Sequence, residues 1–96
     1  MIAKRQQQKF DLGQIVATPG ALSALEQAGQ NPIEFLSRHA AGDWGDVDTG
    51  DKRMNDEAIE IGSRILSAYI TKADVKLWVI TEADRSSTCI LLPSEY

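Results

Sequence analysis

The chain has 96 residues, of which 43% are hydrophobic and 25% are charged, and its formal net charge is −4. These values are typical of one small globular domain, and they argue against disorder of the whole chain and against a strongly basic nucleic-acid-binding surface. Cys89 is the single cysteine and no apolar run approaches the ~20 residues of a membrane span, so the sequence predicts a cytoplasmic protein without disulfides, cofactors or membrane association.

The first part of the chain is polar and rich in glutamine. We expect a flexible polar arm at 1–9, followed by a single domain at 10–96. Within residues 10–17, the β-branched pair Ile15 and Val16 favours a short N-terminal strand.

Three helices are predicted next, and the first two each begin with a capping side chain followed by a proline. The first runs from Thr18-Pro19 to Gly29, the second from Asn31-Pro32 to Gly42, and the third from Asp51 to Ile61. Either Asp48 or Thr49 is expected to cap the third helix, and Gly62 is expected to end it.

After Gly62 the apolar pattern changes from helical to extended. Strands are predicted at 64–70, 76–82 and 88–92, and the connections between them have hairpin length. The predicted fold is therefore α+β: a short strand and three helices, then a three-stranded antiparallel meander with the helices on one sheet face. The central strand is apolar on both faces, so we expect another element or a partner subunit to cover the second face.

Polar side chains are dense between His39 and Asp48. His39, Asp43 and Asp46 are the candidate catalytic residues, because imidazole and carboxylate groups bind metals and transfer protons. No EF-hand register fits the spacing, so no specific metal site is predicted. The alternative is a structural loop in which Trp44 closes the edge of the core instead of binding a ligand.

A second polar segment connects the last two predicted strands. Its hydroxyls, acids and arginine would suit an anion or a phosphate, although the same residue types also satisfy the backbone of a tight turn. Together with Trp44, the candidate binding residues are Glu82, Asp84, Arg85, Ser86 and Ser87. The single histidine would have to meet Ser86 or Ser87 to form a catalytic triad, and nothing in the spacing predicts this.

Charge is distributed unevenly along the chain. Residues 43–60 contain seven acidic and two basic residues, a local charge of −5. This pattern predicts an acidic face, which is most simply a solvated helix surface.

Four segments resemble one protein family: QIVATPGAL at 14–22, RHAAGDWGD at 38–46, ILSAY at 65–69 and WVITEADRSST at 78–88. The family is that of small uncharacterised bacterial "plasmid-related" proteins of genomes and mobile elements, and the resemblance extends over residues 10–96. It implies a bacterial origin and a plasmid or integrated-element setting, but no activity. Some members carry a type I restriction–modification label; this sequence has no methyl-donor glycine motif, so it is not expected to be a methyltransferase.

Two functions remain open at this stage. The first is a non-enzymatic binding or accessory protein that acts through a protein partner or through self-association. The alternative is a small metal-dependent hydrolase that acts on nucleic acid or a phosphate ester through His39, Asp43 and Asp46. A sequence pI near 4.8 argues against RNA binding, because phosphate contacts require many lysines and arginines.

Overall fold

The structure is a computed structural model that describes residues 8–96. Its elements, in chain order, are β1 (Gln14–Ala17), α1 (Pro19–Ala28), α2 (Pro32–Ala40), α3 (Thr49–Ile61), β2 (Ile65–Ile70), β3 (Lys76–Thr81), β4 (Ser87–Leu91) and a 3₁₀ turn (Pro93–Glu95). Most of the predicted arm at 1–9 lies outside the described residues. Lys9, at its end, donates its N–H to the Ala40 carbonyl at 2.8 Å.

The three predicted helices are confirmed, and their ends follow from local capping. Thr18 and Asn31 cap α1 and α2 through side-chain oxygens that accept first-turn N–H groups, and a proline follows each cap. Asp48 caps α3, which begins two residues before the predicted start. Gly29 and Gly62 end α1 and α3 in the left-handed conformation that glycine adopts without steric cost.

The predicted sheet was wrong in its strand count and its type. The α+β class and the antiparallel order of β2, β3 and β4 are present, but β1 pairs in parallel with β4, so the sheet is mixed, with the order β1-β4-β3-β2. The physical reason is that pairing of β1 with β4 joins residues as far apart as Gln14 and Ser87. Local patterns predict a strand, but they do not identify such a distant neighbour.

One face of the sheet carries the main core. Side chains of β3 and β4 that point to this face pack against α1 and α2. The buried members of this cluster are Ala21, Ala24, Leu25, Phe35, Leu36, Tyr69, Leu77, Val79 and Ile90. On the other face Tyr96 packs edge-on against Trp78, with ring centroids 5.6 Å apart, so the end of the chain covers part of the apolar surface expected there.

The β2 edge of the sheet is closed by side-chain and loop contacts. Asn55 of α3 accepts from the Leu66 N–H and donates to its carbonyl, as a neighbouring strand would. The loop after α2 adds bonds from Ala68 N–H to the Trp44 carbonyl and from Asp46 N–H to the Ala68 carbonyl. Within residues 8–96, no helix has the length and apolar character needed to cross a membrane.

Candidate functional site

His39 lies near the end of α2 and points into the protein interior, where it is fully buried. Phe10 and Trp44 both approach the imidazole edge-on, with centroid distances of 5.2 and 5.9 Å. The two aromatic rings also stack on each other at 6.1 Å. Aromatic side chains therefore close the space around the imidazole, and a substrate cannot reach His39 in this conformation.

Both ring nitrogens of His39 have hydroxyl partners on the sheet. Nδ1 lies 2.6 Å from Ser67 Oγ, and Nε2 lies 2.9 Å from Thr81 Oγ1. Thr81 Oγ1 is 2.7 Å from Thr88 Oγ1, and the Thr88 hydroxyl donates to the Leu12 carbonyl at 2.7 Å. We call this set, from Ser67 to Leu12, the hydroxyl chain.

The direction of every bond in the hydroxyl chain follows from the fixed acceptor at its end. A carbonyl cannot donate, so the single proton of Thr88 goes to Leu12 and Thr81 must donate to Thr88. Thr81 then accepts from His39, which places the imidazole proton on Nε2. Nδ1 is therefore an acceptor, and the Ser67 hydroxyl donates to it.

This environment favours the neutral imidazole. Burial, together with the positive charge of Arg85, lowers the pKa of His39 from its ordinary 6.5 to about 4. The Ser67–His39 contact resembles the nucleophile–base pair of a serine hydrolase, but both side chains are fully buried. The hydroxyl chain therefore holds α2 against the sheet and leaves no buried polar group of its own without a partner.

Asp43 and Asp46 line a shallow surface depression beyond the end of α2, whereas the buried His39 is not among its lining residues. Asp43 accepts from Arg38 at 2.7 Å, and this bond lowers the pKa of the carboxyl group. It also accepts from the Gly45 N–H at 3.2 Å. The structure thus brings the two carboxylates together but separates them from His39, and Arg38 already neutralises one of them. Within residues 8–96, no group of three or more His, Cys, Asp or Glu side chains could hold a metal ion.

Trp44 belongs to the interior, with 4% of its surface exposed. It packs in a second core cluster with Phe10, Ala58 and Ile65, and its indole N–H donates to Asp56 at 2.9 Å. The ring therefore joins the loop after α2 to helix α3 and has no open face for a ligand.

The segment from Glu82 to Ser86 forms the β3–β4 turn, and Ser87 begins β4. Most polar groups of this segment are used within the fold. The Asp84 carboxylate accepts the Ser86 N–H at 3.0 Å, and the Glu82 N–H donates to the Ser87 carbonyl at 3.1 Å. Arg85 reaches across to the end of α3 and donates to the carbonyls of Ala58 and Ser63. Its guanidinium thus satisfies carbonyls at a helix terminus, where a cation is favoured, and is not free for an anion.

Ser67, Thr81 and Thr88 were not among the candidate residues. Each occupies an inward-facing position of its strand, two residues from a buried apolar side chain: Ile65 for Ser67, Val79 for Thr81 and Ile90 for Thr88. The alternation of strand side chains could have identified them as buried hydroxyls that require partners.

A different surface of the chain is exposed and apolar. Helix α3 has only two buried side chains, those of Asn55 and Ala58. Met54 and Ile61, which are 65% and 73% exposed, lie seven residues apart and therefore on one side of the helix. Exposed charged residues adjoin Ile61, and the shallow depression there is lined by Arg53, Asp56, Glu57 and Glu60. We call Met54, Ile61 and these charged neighbours the α3 surface.

Comparison of the chain with protein-family models, with curated proteins and with solved structures gave no match.

Proposed function

We propose that the chain is a non-enzymatic accessory protein that binds a basic partner protein through the α3 surface. The observation that carries this proposal is the exposure of Met54 and Ile61 beside acidic side chains. We further propose a cytoplasmic role on a bacterial plasmid or other mobile element. The basis for this setting is the resemblance of segments such as 14–22 and 78–88 to the plasmid-related family.

The apolar part of the α3 surface is unusual for a helix at the periphery of a small domain. Such a helix normally turns its large apolar side chains toward the core and its polar side chains toward water. In α3 the inward side carries the small side chain of Ala58, the amide of Asn55 and the partly buried Ile59, while both Met54 and Ile61 face outward. A partner that covered these two side chains would remove apolar area from water, which is favourable.

The charged residues around Met54 and Ile61 indicate the chemistry of the partner. Residues 43–60 carry a charge of −5, and within residues 8–96 the one salt bridge is that between Arg38 and Asp43. Glu57 and Glu60 beside Ile61 are thus available to a partner's lysine or arginine side chains, whereas Asp56 already accepts from Trp44. Charge complementarity of this kind increases the association rate and selects the partner, while the apolar contacts supply most of the affinity. An amphipathic basic helix satisfies both requirements.

Binding of a designed peptide to the ¹⁵N-labelled protein tests this proposal. The probe is a helical peptide with leucine on one face and lysine on the other, and a second peptide has glutamate in place of every lysine. We expect the lysine peptide to shift the amide resonances of α3 and the glutamate peptide to leave them unchanged. The affinity should fall as salt is raised, because the charges involved are exposed.

Matched variants identify the surface. The double variant Met54→Ser, Ile61→Ser should weaken binding of the lysine peptide about tenfold, because two buried apolar contacts are lost. Ile33→Ser is the control: Ile33 is 64% exposed but lies on α2. Equal affinity of the double variant and the wild type, or equal binding of the two peptides, would refute the proposal.

A further inference from the structure

The outer edge of β1 carries backbone groups without partners in the described part of the chain. The N–H groups of Gln14 and Thr18 donate to the carbonyls of Ser86 and Ile90. Alternate residues of a strand direct their backbone groups to the same side, so Ile15 and Ala17 point theirs away from β4. We call these outward N–H and C=O groups, two donors and two acceptors, the β1 edge.

The β1 edge is short, at four residues, but it otherwise lacks the usual protection against strand addition. Exposed edges are normally blunted by charged side chains, proline or a covering element. Residues 12–25 contain no Asp, Glu, Lys, Arg or His in a chain that is 25% charged. Ile15 and Val16 are 44% and 42% exposed, so the edge is also apolar on both faces of the sheet. By contrast, the β2 edge is closed by Asn55 and the loop that contains Trp44.

An apolar groove adjoins the β1 edge on the helix-covered face. It has a volume of about 630 Å³ and lies between α2 and the segment that leads into β1. Its lining residues are uncharged: Gln8, Leu12, Ile15, Ile33, Leu36, Ser37, Ala40 and Ala41. Because Ile15 belongs to both features, a strand added at the β1 edge would lie beside this groove.

We propose that the β1 edge binds the β1 edge of a second copy of this chain, in antiparallel orientation about a two-fold axis at Val16. In this register the Ile15 and Ala17 backbone groups of one copy exchange hydrogen bonds with the same pair in the other copy. Two donors on each copy meet two acceptors, and none is left over. The two sheets become one continuous sheet across the interface.

The absence of charge is what favours a second copy over a different partner. A two-fold axis at Val16 places the residues nearest the axis close to their own copies, so a charged residue there would meet a like charge. The uncharged stretch at 12–25 avoids this repulsion, whereas an edge selected for a basic or acidic partner would carry the opposite charge. The dimer does not depend on the α3 surface and can be tested independently of it.

Sedimentation equilibrium of the full chain measures the association. The wild type should reach twice the 10.5 kDa of one chain at high micromolar concentration. Val16→Lys, which places like charges at the two-fold axis, should weaken the dimer at least about tenfold. Val16→Thr and Ile61→Lys are the controls and should dimerise as the wild type does. Circular dichroism confirms that each variant is folded. A wild type that stays monomeric, or a Val16→Lys variant that dimerises normally, would overturn the proposal.

Disulfide trapping tests the register in a Cys89→Ser background, which removes the only native thiol. Val16 faces its own copy in a non-hydrogen-bonded pair with Cα atoms about 4.5 Å apart, a separation that a disulfide spans. Val16→Cys should therefore oxidise to a covalent dimer. Ile15→Cys should not, because its copy lies diagonally about 7–8 Å away. Cross-linking of Ile15→Cys or Ile61→Cys as efficient as that of Val16→Cys would exclude this register.

Discussion

Acidification should destabilise the protein through His39 before the carboxylates contribute. The folded protein holds the pKa of His39 at about 4, compared with an ordinary value of 6.5. Because the imidazole is fully buried, solvent screening does not reduce the effect of this pKa difference on stability. At about 1.4 kcal/mol for each pKa unit, the full effect is about 3 kcal/mol of unfolding free energy. This is a large fraction of the roughly 5–15 kcal/mol that stabilises a typical domain.

The sign of the effect follows from which state binds the proton. Between pH 6.5 and 4 the unfolded chain protonates His39 while the folded protein does not, so stability present above pH 6.5 is lost as the pH falls. Below pH 4 both states bind the proton and the loss stops. Protonation of Nδ1 would also replace the acceptor that Ser67 requires, so the hydroxyl chain itself opposes it.

Urea unfolding between pH 7.5 and 5 measures this loss, which should be about 2 kcal/mol by pH 5. Carboxylates such as Asp43, whose pKa is lowered by Arg38, titrate below this range. His39→Gln is the control, since its neutral amide should make stability nearly independent of pH in the same range. Direct NMR titration of the imidazole in the folded wild type supplies a second measurement. A resonance that titrates near pH 6.5, or equal slopes for wild type and variant, would refute the reasoning.

Three further predictions test the packing and capping described above, each by urea unfolding. Gly45→Ala should lower the unfolding free energy by more than about 3 kcal/mol, because the added Cβ would lie 2.1 Å from the Ala68 carbonyl oxygen. Gly62→Ala is the control: its φ is similar but the space around it is open, so the loss should be about 1 kcal/mol. Equal losses would contradict the predicted clash. Arg85→Lys should cost about 1–2 kcal/mol, because lysine lacks the planar fork that bonds the α3 carbonyls, and an unchanged stability would contradict that role. Asn31→Ala should cost about 1 kcal/mol through its lost cap, and no loss would contradict the capping bond.

The features that the sequence predicted well depend on neighbouring residues. The caps at Thr18 and Asn31 and the helix end at Gly29 each involve groups within a few positions of one another. Strand bounds were also close: β3 was expected at 76–82 and occupies Lys76–Thr81. Such local signals act through hydrogen bonds and backbone sterics between residues that are close in sequence, so a short segment contains all the groups involved.

The features that the sequence did not predict require knowledge of distant neighbours. His39 was grouped with Asp43 and Asp46 because the three are close in sequence, but its ring is directed toward Ser67 and Thr81 on two different strands. Residues four apart share a face only while the helix continues, and α2 ends at Ala40, so Asp43 and Asp46 do not continue the face that carries His39. Only the packing of α2 on the sheet decides which residues the imidazole meets.

From the sequence, the polar segments 39–48 and 82–87 are candidate catalytic and binding sites. In the structure their contacts position strand β1. The hydroxyl chain that begins at Ser67 and His39 ends on the Leu12 carbonyl, two residues before β1. The β3–β4 turn packs closely against the next residue, Gly13: a Cβ added there would lie 2.4 Å from the Arg85 carbonyl oxygen. The Gln14 N–H then donates to the Ser86 carbonyl. These contacts fix β1 against β4 from one side and so orient its uncharged edge outward. The polar residues therefore determine which backbone groups are offered to a second copy, and the contact itself depends on Ile15, Val16 and Ala17.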